Sequence, residues 1–493
     1  MQKTTDKLKQ NSEPLFWEQN WVYIVGVLFS VVNAYLFYHD FYYFALLPIV
    51  LMVVYTAIFA LDKLFLFAVF CTPLSLNLEQ MEIGGLGLYL PTEPILFGIM
   101  FIYLFKQFSQ PKEQGSEVLR HPVTLAILFH LFWMLVTSFT SEMPLVSFKF
   151  LLTRLWFVVP VYFFGIQFFK QKFSNIYAFI WAYIVPLTVV LLVTVIKHAG
   201  HGFSEEAGHW IMSPFFKDHT SYGAIIALFY PVVVGLFFDK DRSSISRTLI
   251  GIILLIFTVA LFYSYTRAAW VSVVGAFMVY LLFVFKIKFK YLVYLGLVVG
   301  TFIAINFTEL SYMIKKNDAE HTTEDFGERL ESMSNVSSDA SNLERLNRWN
   351  SAFRMFGERP IFGWGPGTYS FQYAPFQDPA DLTIISTNFG TGGNAHSEYI
   401  GPLAEQGVLG TVGILLIVIT IFYTGATLYI QLENKKVKRV LMLVMLGLVT
   451  YFTHGILNNY LDTDKASVPV WGFAAIIVTI DLYYRNKKDV DLK

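Results

Sequence analysis

Apolar residues arrive along this chain in long blocks separated by short polar breaks. A helix rises about 1.5 Å per residue, so roughly 20 mostly apolar residues cross the ~30 Å hydrocarbon core of a bilayer. Blocks that reach or approach this length lie near 21–38, 41–61, 93–109, 122–140, 149–169, 175–197, 220–238, 248–265, 267–285, 290–307, 400–430, 438–457 and 467–484, with a shorter one near 64–77. The pattern predicts an all-α integral membrane protein, a polytopic helical bundle of about fourteen transmembrane helices. The number falls to twelve or thirteen if the early short runs are re-entrant.

Lys and Arg in short loops favour the cytoplasmic side, and this sets the orientation. With the N-terminus inside, Lys63, Lys106, Lys170, Lys172, Lys240, Arg242, Lys286, Lys435 and Lys436 fall on the cytoplasmic side. The opposite short loops carry only Lys149, Lys197, Lys217, Arg267 and Lys465. An even number of spans with both termini cytoplasmic keeps the alternation unbroken. The first twenty residues are polar and Lys-bearing, with no pattern for cleavage, so the N-terminus is expected to stay attached.

Residues 308–399 interrupt the rhythm. They are polar, rich in Ser and Asn, and by the same topology lie on the outer face. The chain therefore divides into eleven spans over 1–307, a large outer loop over 308–399, and three spans with a cytoplasmic tail over 400–493. Within the loop, SNLE at 341–344 has the capping-box form that starts a helix. Leu343, Leu346, Trp349, Phe353 and Phe356 follow at helical spacing, which predicts an amphipathic helix near 342–358 lying on the bundle or at the interface. It should stop before Pro360, and IFGWGPGTYSF then reads as a turn.

Composition agrees with the span pattern. The 493 residues are 55% hydrophobic and 15% charged, and the mean hydropathy is +0.53. With 36 basic and 36 acidic side chains the net charge is zero, so nothing global argues for nucleic acid. The single cysteine, Cys71, excludes an internal disulfide and any Cys-based metal cluster. No His or Cys cluster has metal-ligand spacing and no phosphate-cradling GxxxxGK occurs. DTD at 462–464 resembles an acidic metal motif, but so short a match arises often by chance and reads as a loop.

The candidate chemistry gathers at the outer ends of the spans. Arg267 in SYTRAAW stands at the junction of two apolar runs, where a guanidinium is costly unless paired; the plain alternative is an arginine snorkelling to headgroups. Arg345 and Arg348, three apart, share a helix face in the loop, although many loop arginines are simply solvated. His396 lies where the loop re-enters the membrane, and an imidazole there suits a general base; a structural, hydrogen-bonded histidine is the plain alternative. Lys217 and His219 in KDHTSYG stand at another outer helix entrance, where an ordinary interfacial role serves equally well.

Three fragments in order, SYTRAAW, RLNRWNSAFRMFGERPIFGWGPGTY and HSEYIGPLAEQGVLG, resemble the O-antigen ligase and polymerase superfamily. KDHTSYG is similar to an earlier family segment. The motifs cover roughly 220–410. The resemblance implies a GT-C-like scaffold and transfer of a glycan from undecaprenyl diphosphate to an acceptor hydroxyl at the periplasmic face of the bacterial inner membrane. It also implies no nucleotide sugar, no metal and no cofactor. In that reading His396 is the general base of an inverting displacement, and Arg267 and Arg345 clamp the diphosphate. Arg348, Lys217, His219 and Glu405 are possible substrate contacts. The acceptor is a glycolipid, a glycan or a protein hydroxyl. About twelve helices are usual in the family, so the additional pair is expected at the N-terminus. The competing class is a transporter or flippase for lipid-linked saccharides, which would place ionisable residues at mid-membrane; the span centres here are almost free of them.

Overall fold

The structure, a computed structural model, is described over residues 16–78, 87–109, 115–286, 301, 340–379, 382, 386 and 393–486. Its contacts divide the chain into two units, Met1–Leu64 and Phe65–Lys493. The first unit holds the helices Phe16–Tyr38 and Leu47–Phe59, joined through a short 3-10 turn at Tyr42–Leu46. Their apolar side chains, among them Val27, Leu28, Val31, Ile49, Val50 and Leu51, are exposed. Such a surface is stable where lipid tails surround it and would not be in water.

Eleven described helices are long and apolar enough to span a bilayer, in agreement with an all-α polytopic membrane protein. They match eleven of the blocks read from the sequence. Of the other three, the 64–77 block forms the short helix Leu61–Cys71, and the 93–109 block forms Thr92–Ser109, which carries Glu93 and Lys106. The 290–307 block lies outside the described residues, as does the acidic first half of the large loop. Between the two short helices, Leu76–Asn77 and Tyr89–Leu90 pair as a two-residue antiparallel ribbon, Leu76 opposite Leu90.

In the second unit Lys435–His454 and Asp464–Tyr484 are the most buried spans. Lys435–His454 packs against His219–Phe237 and Arg267–Val284, while Pro122–Phe139 packs against Ile400–Gln431. Ser244–Phe262 and Arg267–Val284 are peripheral, and turn Leu249, Ile252, Leu255, Val271, Val274 and Phe277 outward. Polar contacts mark the two ends of the bundle. At one, Arg439 pairs with Asp239 and Asp241, and Arg485 with Asp481. At the other, the starts of His219–Phe237, Arg267–Val284 and Ile400–Gln431 meet the end of Lys435–His454 and the described half of the large loop.

Two expectations change. The loop helix runs Ala340–Glu358 and stops before Pro360 as expected, but Ser341 lies inside it and not at its cap. However, the face it buries is mostly the polar one. Glu344, Asn347, Arg348 and Ser351 are buried together with Ala352 and Met355, whereas Phe353 is 49% exposed and Leu343, Leu346, Trp349 and Phe356 are only partly covered. Charged residues tolerate burial when paired and hydrogen-bonded, and here they are. Second, the span interiors are not free of ionisable groups. His130 and Arg154 are 2% and 7% exposed within their spans, and Arg154 is stabilised by donating from Nη1 to the Leu461 carbonyl at 2.6 Å.

Candidate active site

The floor of the site is a broken helix. Ile400–Gln431 is interrupted at Gly407, whose φ of 68° and ψ of −166° lie in a region open essentially to glycine alone. A break strands backbone groups that the helix would otherwise pair, and the GWGPG turn takes them up. The amides of Trp364 and Gly365 donate to the carbonyls of Ala404 and Glu405 at 3.0 and 2.7 Å, and the Val408 amide donates to the Pro360 carbonyl at 2.9 Å. Gly363 and Gly365 also have positive φ. A Cβ on Gly363 would come within 2.3 Å of the Glu405 backbone, so the approach requires glycine. A Cβ on Gly407 would lie 2.1 Å from the Ile361 carbonyl oxygen. Gly407→Ala is therefore expected to lower folded stability by at least ~1–3 kcal/mol. Gly98→Ala, at a helical position with open space around it, should be neutral or better. Thermal melting of the two variants in detergent checks this.

Above the floor, the GGNAHSE segment carries the imidazole. His396 has a φ of 46°, a left-handed conformation uncommon for a non-glycine residue, and its amide donates to Asn394 Oδ1 at 3.1 Å. The loop helix fixes the segment from one side. Arg348 donates through Nε to Glu344 at 2.7 Å and through Nη1 to the Asn394 carbonyl at 3.1 Å, and it lies over the Tyr373 ring. Glu344 is also bonded by Ser386. A Cβ on Gly393 would lie 1.7 Å from Arg348 Nη1, so the glycine lets the guanidinium sit on the backbone. Arg348 thus ties the loop helix to the histidine segment.

Burial, together with the positive fields of Arg348 and Arg345, pushes the His396 imidazole down to about 3, while Asp218 and Glu344 pull it up. The ring is neutral near pH 7 and able to accept a proton. Arg345 donates from Nε to the Leu457 carbonyl at 3.2 Å, which brings its guanidinium to the end of Lys435–His454. There the buried His454, in the fields of Arg345 and Asp218, has neither ring nitrogen paired with a protein group. Asp218 caps His219–Phe237 by accepting from the Ser221 amide at 2.7 Å. Thr266 donates to the His219 carbonyl at 2.7 Å, so the helix that starts with Arg267 begins directly beside His219. The His219 ring pairs with His209 across 3.2 Å.

The structure therefore gathers His396, Arg345, Arg348 and Asp218 into one electrostatic neighbourhood, with Arg267 and His219 on the adjoining helix starts. Lys217 is exposed and acts on Asp462. Glu405 anchors the turn, accepting from the Tyr369 amide at 3.0 Å.

Several residues escaped sequence reasoning. A cavity of about 200 Å³ lies beyond the histidine segment, lined by Asn394, Ala395, Ser397 and Glu398 and closed by Arg154, Asp462 and others. Glu398 is buried and accepts from the Tyr451 hydroxyl and from the amides of Tyr460 and Leu461 at 2.6–2.9 Å. Burial pushes its carboxyl up, as it does that of Asp462. The DTD segment is thus not an idle loop: Asp462 faces the cavity, and Asp464 is buried against Ser75 at 2.5 Å. A charged residue within a span was the available signal for Arg154. Among the described residues no group of three or more His, Cys, Asp or Glu could hold a metal ion.

Fold and site together define a polytopic membrane protein with guanidinium and imidazole groups converging at one end of the bundle. Residues 252–415 match the family model described as O-antigen ligase. The matched region, about a third of the chain, contains Arg267, Arg345 and His396, and over it the chain is similar to O-antigen ligases. No curated protein matches the chain.

Proposed function

We propose that the protein moves a glycan from undecaprenyl diphosphate to an acceptor hydroxyl at the periplasmic face of the bacterial inner membrane. The observation that carries this reading is a neutral histidine, in a left-handed backbone conformation, set beside two loop arginines inside the region that matches the ligase family. His396 takes the proton of the acceptor hydroxyl. The hydroxyl oxygen then attacks the anomeric carbon from the face opposite the diphosphate, the bond from that carbon to the diphosphate oxygen breaks, and undecaprenyl diphosphate departs with the electron pair. The product is inverted at the anomeric carbon.

Fixed guanidiniums suit the leaving group, because bidentate, charge-assisted hydrogen bonds strengthen as negative charge develops on it. Arg345 and Arg267 take this role, and Arg348 holds the segment that carries the base. The apolar surfaces between spans take the polyprenyl chain.

The field at His396 ties donor binding to basicity. Burial, and after it two cations, depress the imidazole, and a diphosphate set against those cations offsets their share. The kinetic pKa of the base is therefore expected to be higher in kcat, which reports the donor complex, than in kcat/KM, which reports the free enzyme. Equal values in the two profiles would count against the arrangement.

The deciding experiment reconstitutes the purified chain with a lipid-linked glycan donor and candidate acceptors, and reads the product by mass spectrometry. Transfer with release of undecaprenyl diphosphate is expected, at a rate unchanged by a chelator. Absence of transfer with every acceptor class, or a strict need for a divalent ion, would overturn the reading.

A further inference from the structure

The ~200 Å³ cavity and the arginine neighbourhood flank the same segment, and their chemistry differs. His396 lies in the field of Arg348 and Arg345, while its chain neighbours Ala395 and Ser397 line the cavity. Three carboxylates, Glu398, Glu405 and Asp462, line that cavity against the single cation Arg154, with Lys217 acting on Asp462 from outside. The remaining polar lining is largely amide, from Asn394, Gln406 and Asn459, and Tyr369 adds an aromatic side chain.

Unsatisfied groups point to an occupant. His130 Nδ1, Gln406 Oε1 and Asn459 Oδ1 are all buried without a protein partner, and His130 and Gln406 are each 2% exposed. Buried polar atoms in native proteins are nearly always bonded, and here three residues of the lining carry one that is not, so small side-chain rotations would offer these groups to a ligand with donors and acceptors of its own. A cavity of about 150 Å³ admits a benzene ring, so this space is large enough for a single six-membered ring. It suits one small polyhydroxylated ring. With three carboxyl groups against one arginine the lining gives an anion such as diphosphate little support, and carboxyl and amide oxygens accept hydrogen bonds from hydroxyls.

We propose that this cavity is the acceptor subsite, binding one uncharged hexopyranose through Asp462, Gln406, Asn459 and His130 and presenting its hydroxyl past the 394–398 segment to His396. Charge then sorts the substrates: the cationic side takes the diphosphate end of the donor, and the acidic side takes a neutral sugar of the acceptor. The acceptor role rests on the glycosyl-transfer reading; the binding of a neutral sugar does not.

The test uses the full chain in lipid nanodiscs and two probes differing by one charged group, methyl glucoside and methyl glucuronide, read by saturation-transfer NMR. The glucoside is expected to bind at least about tenfold more tightly than the glucuronide, as like-charge rejection of the carboxylate requires. Gln406→Met and Asp462→Asn should each weaken glucoside binding by about tenfold, the scale of one lost hydrogen bond in a dry site. Asp462→Asn should also narrow the preference over the glucuronide, whereas His396→Asn should leave glucoside binding intact. Equal binding of the two probes, or glucoside binding unmoved by both cavity variants when both melt like the parent, overturns the proposal. If the glucoside binds as expected but no lipid-linked donor is ever consumed, the transfer reading fails and a sugar subsite remains. In the transfer assay the cavity variants should raise the acceptor KM and leave the donor KM unchanged. A raised donor KM would reassign the cavity to the donor.

Discussion

Replacing His396 by asparagine is expected to lower kcat for glycan transfer by roughly 10²–10⁴-fold, the usual contribution of a positioned general base. Asparagine is chosen because it tolerates the left-handed backbone this position adopts. An alanine there would mix lost chemistry with backbone strain. Donor binding should persist, since the guanidiniums are untouched. Transfer by the asparagine variant within tenfold of the parent would remove His396 from the mechanism.

The same variant isolates a pH effect on folding. The folded-state imidazole is pushed down to about 3 from an ordinary value near 6.5. Between those values the unfolded chain binds a proton that the folded chain refuses, so this group's contribution to stability is present above about pH 6.5 and lost as pH falls toward 3. His396→Asn should remove that slope, and the difference between the two melting-temperature profiles over this window reads it directly. Glu398 and Asp462, whose carboxyls burial raises, contribute in the opposite sense. They are common to both proteins and cancel in the difference.

The second large effect separates two arginines three residues apart. Arg345→Ala is expected to lower kcat by roughly 10²–10³-fold with little change in melting, as removal of one donor to a developing charge does. Arg345→Lys should restore little, because an ammonium cannot reproduce a guanidinium's fork. Arg348→Ala should instead unfold the region. The Arg348–Glu344 side chains are only 9% and 5% exposed, and removing one partner of such a buried pair costs about 3–5 kcal/mol. Mutation of Glu344 to Gln should resemble Arg348→Ala in melting and leave donor affinity intact in the fraction that stays folded. If Arg348→Ala melts like the parent yet abolishes donor binding, the division of labour is reversed.

Much of this was legible in the sequence. Block length carried the span pattern, because the bilayer imposes a nearly local rule that short windows can read. Pro360 bounded the end of the loop helix, whose start the capping-box motif placed too late, and three fragments carried the family resemblance. What failed were inferences about facing. An apolar stripe was read as the buried side of the loop helix, but a buried ion pair and amide contacts to distant residues such as Gln377 and Ser386 cover the polar side. Those partners lie 30 and 39 residues beyond Asn347, and no periodicity encodes them. Asp462 and Glu398 escaped for a similar reason. Their significance comes from Arg154 and Tyr451, which reach them only in the fold.

The exchange of backbone hydrogen bonds at Gly407 constrains how substrate can come and go. If the GWGPG turn swung away, it would leave the buried carbonyls of Ala404 and Glu405 without their partners, at about 1–3 kcal/mol for each unmet group. Those bonds oppose its use as a flap. That cost favours substrate entry sideways between helices over movement of the seam at Gly407.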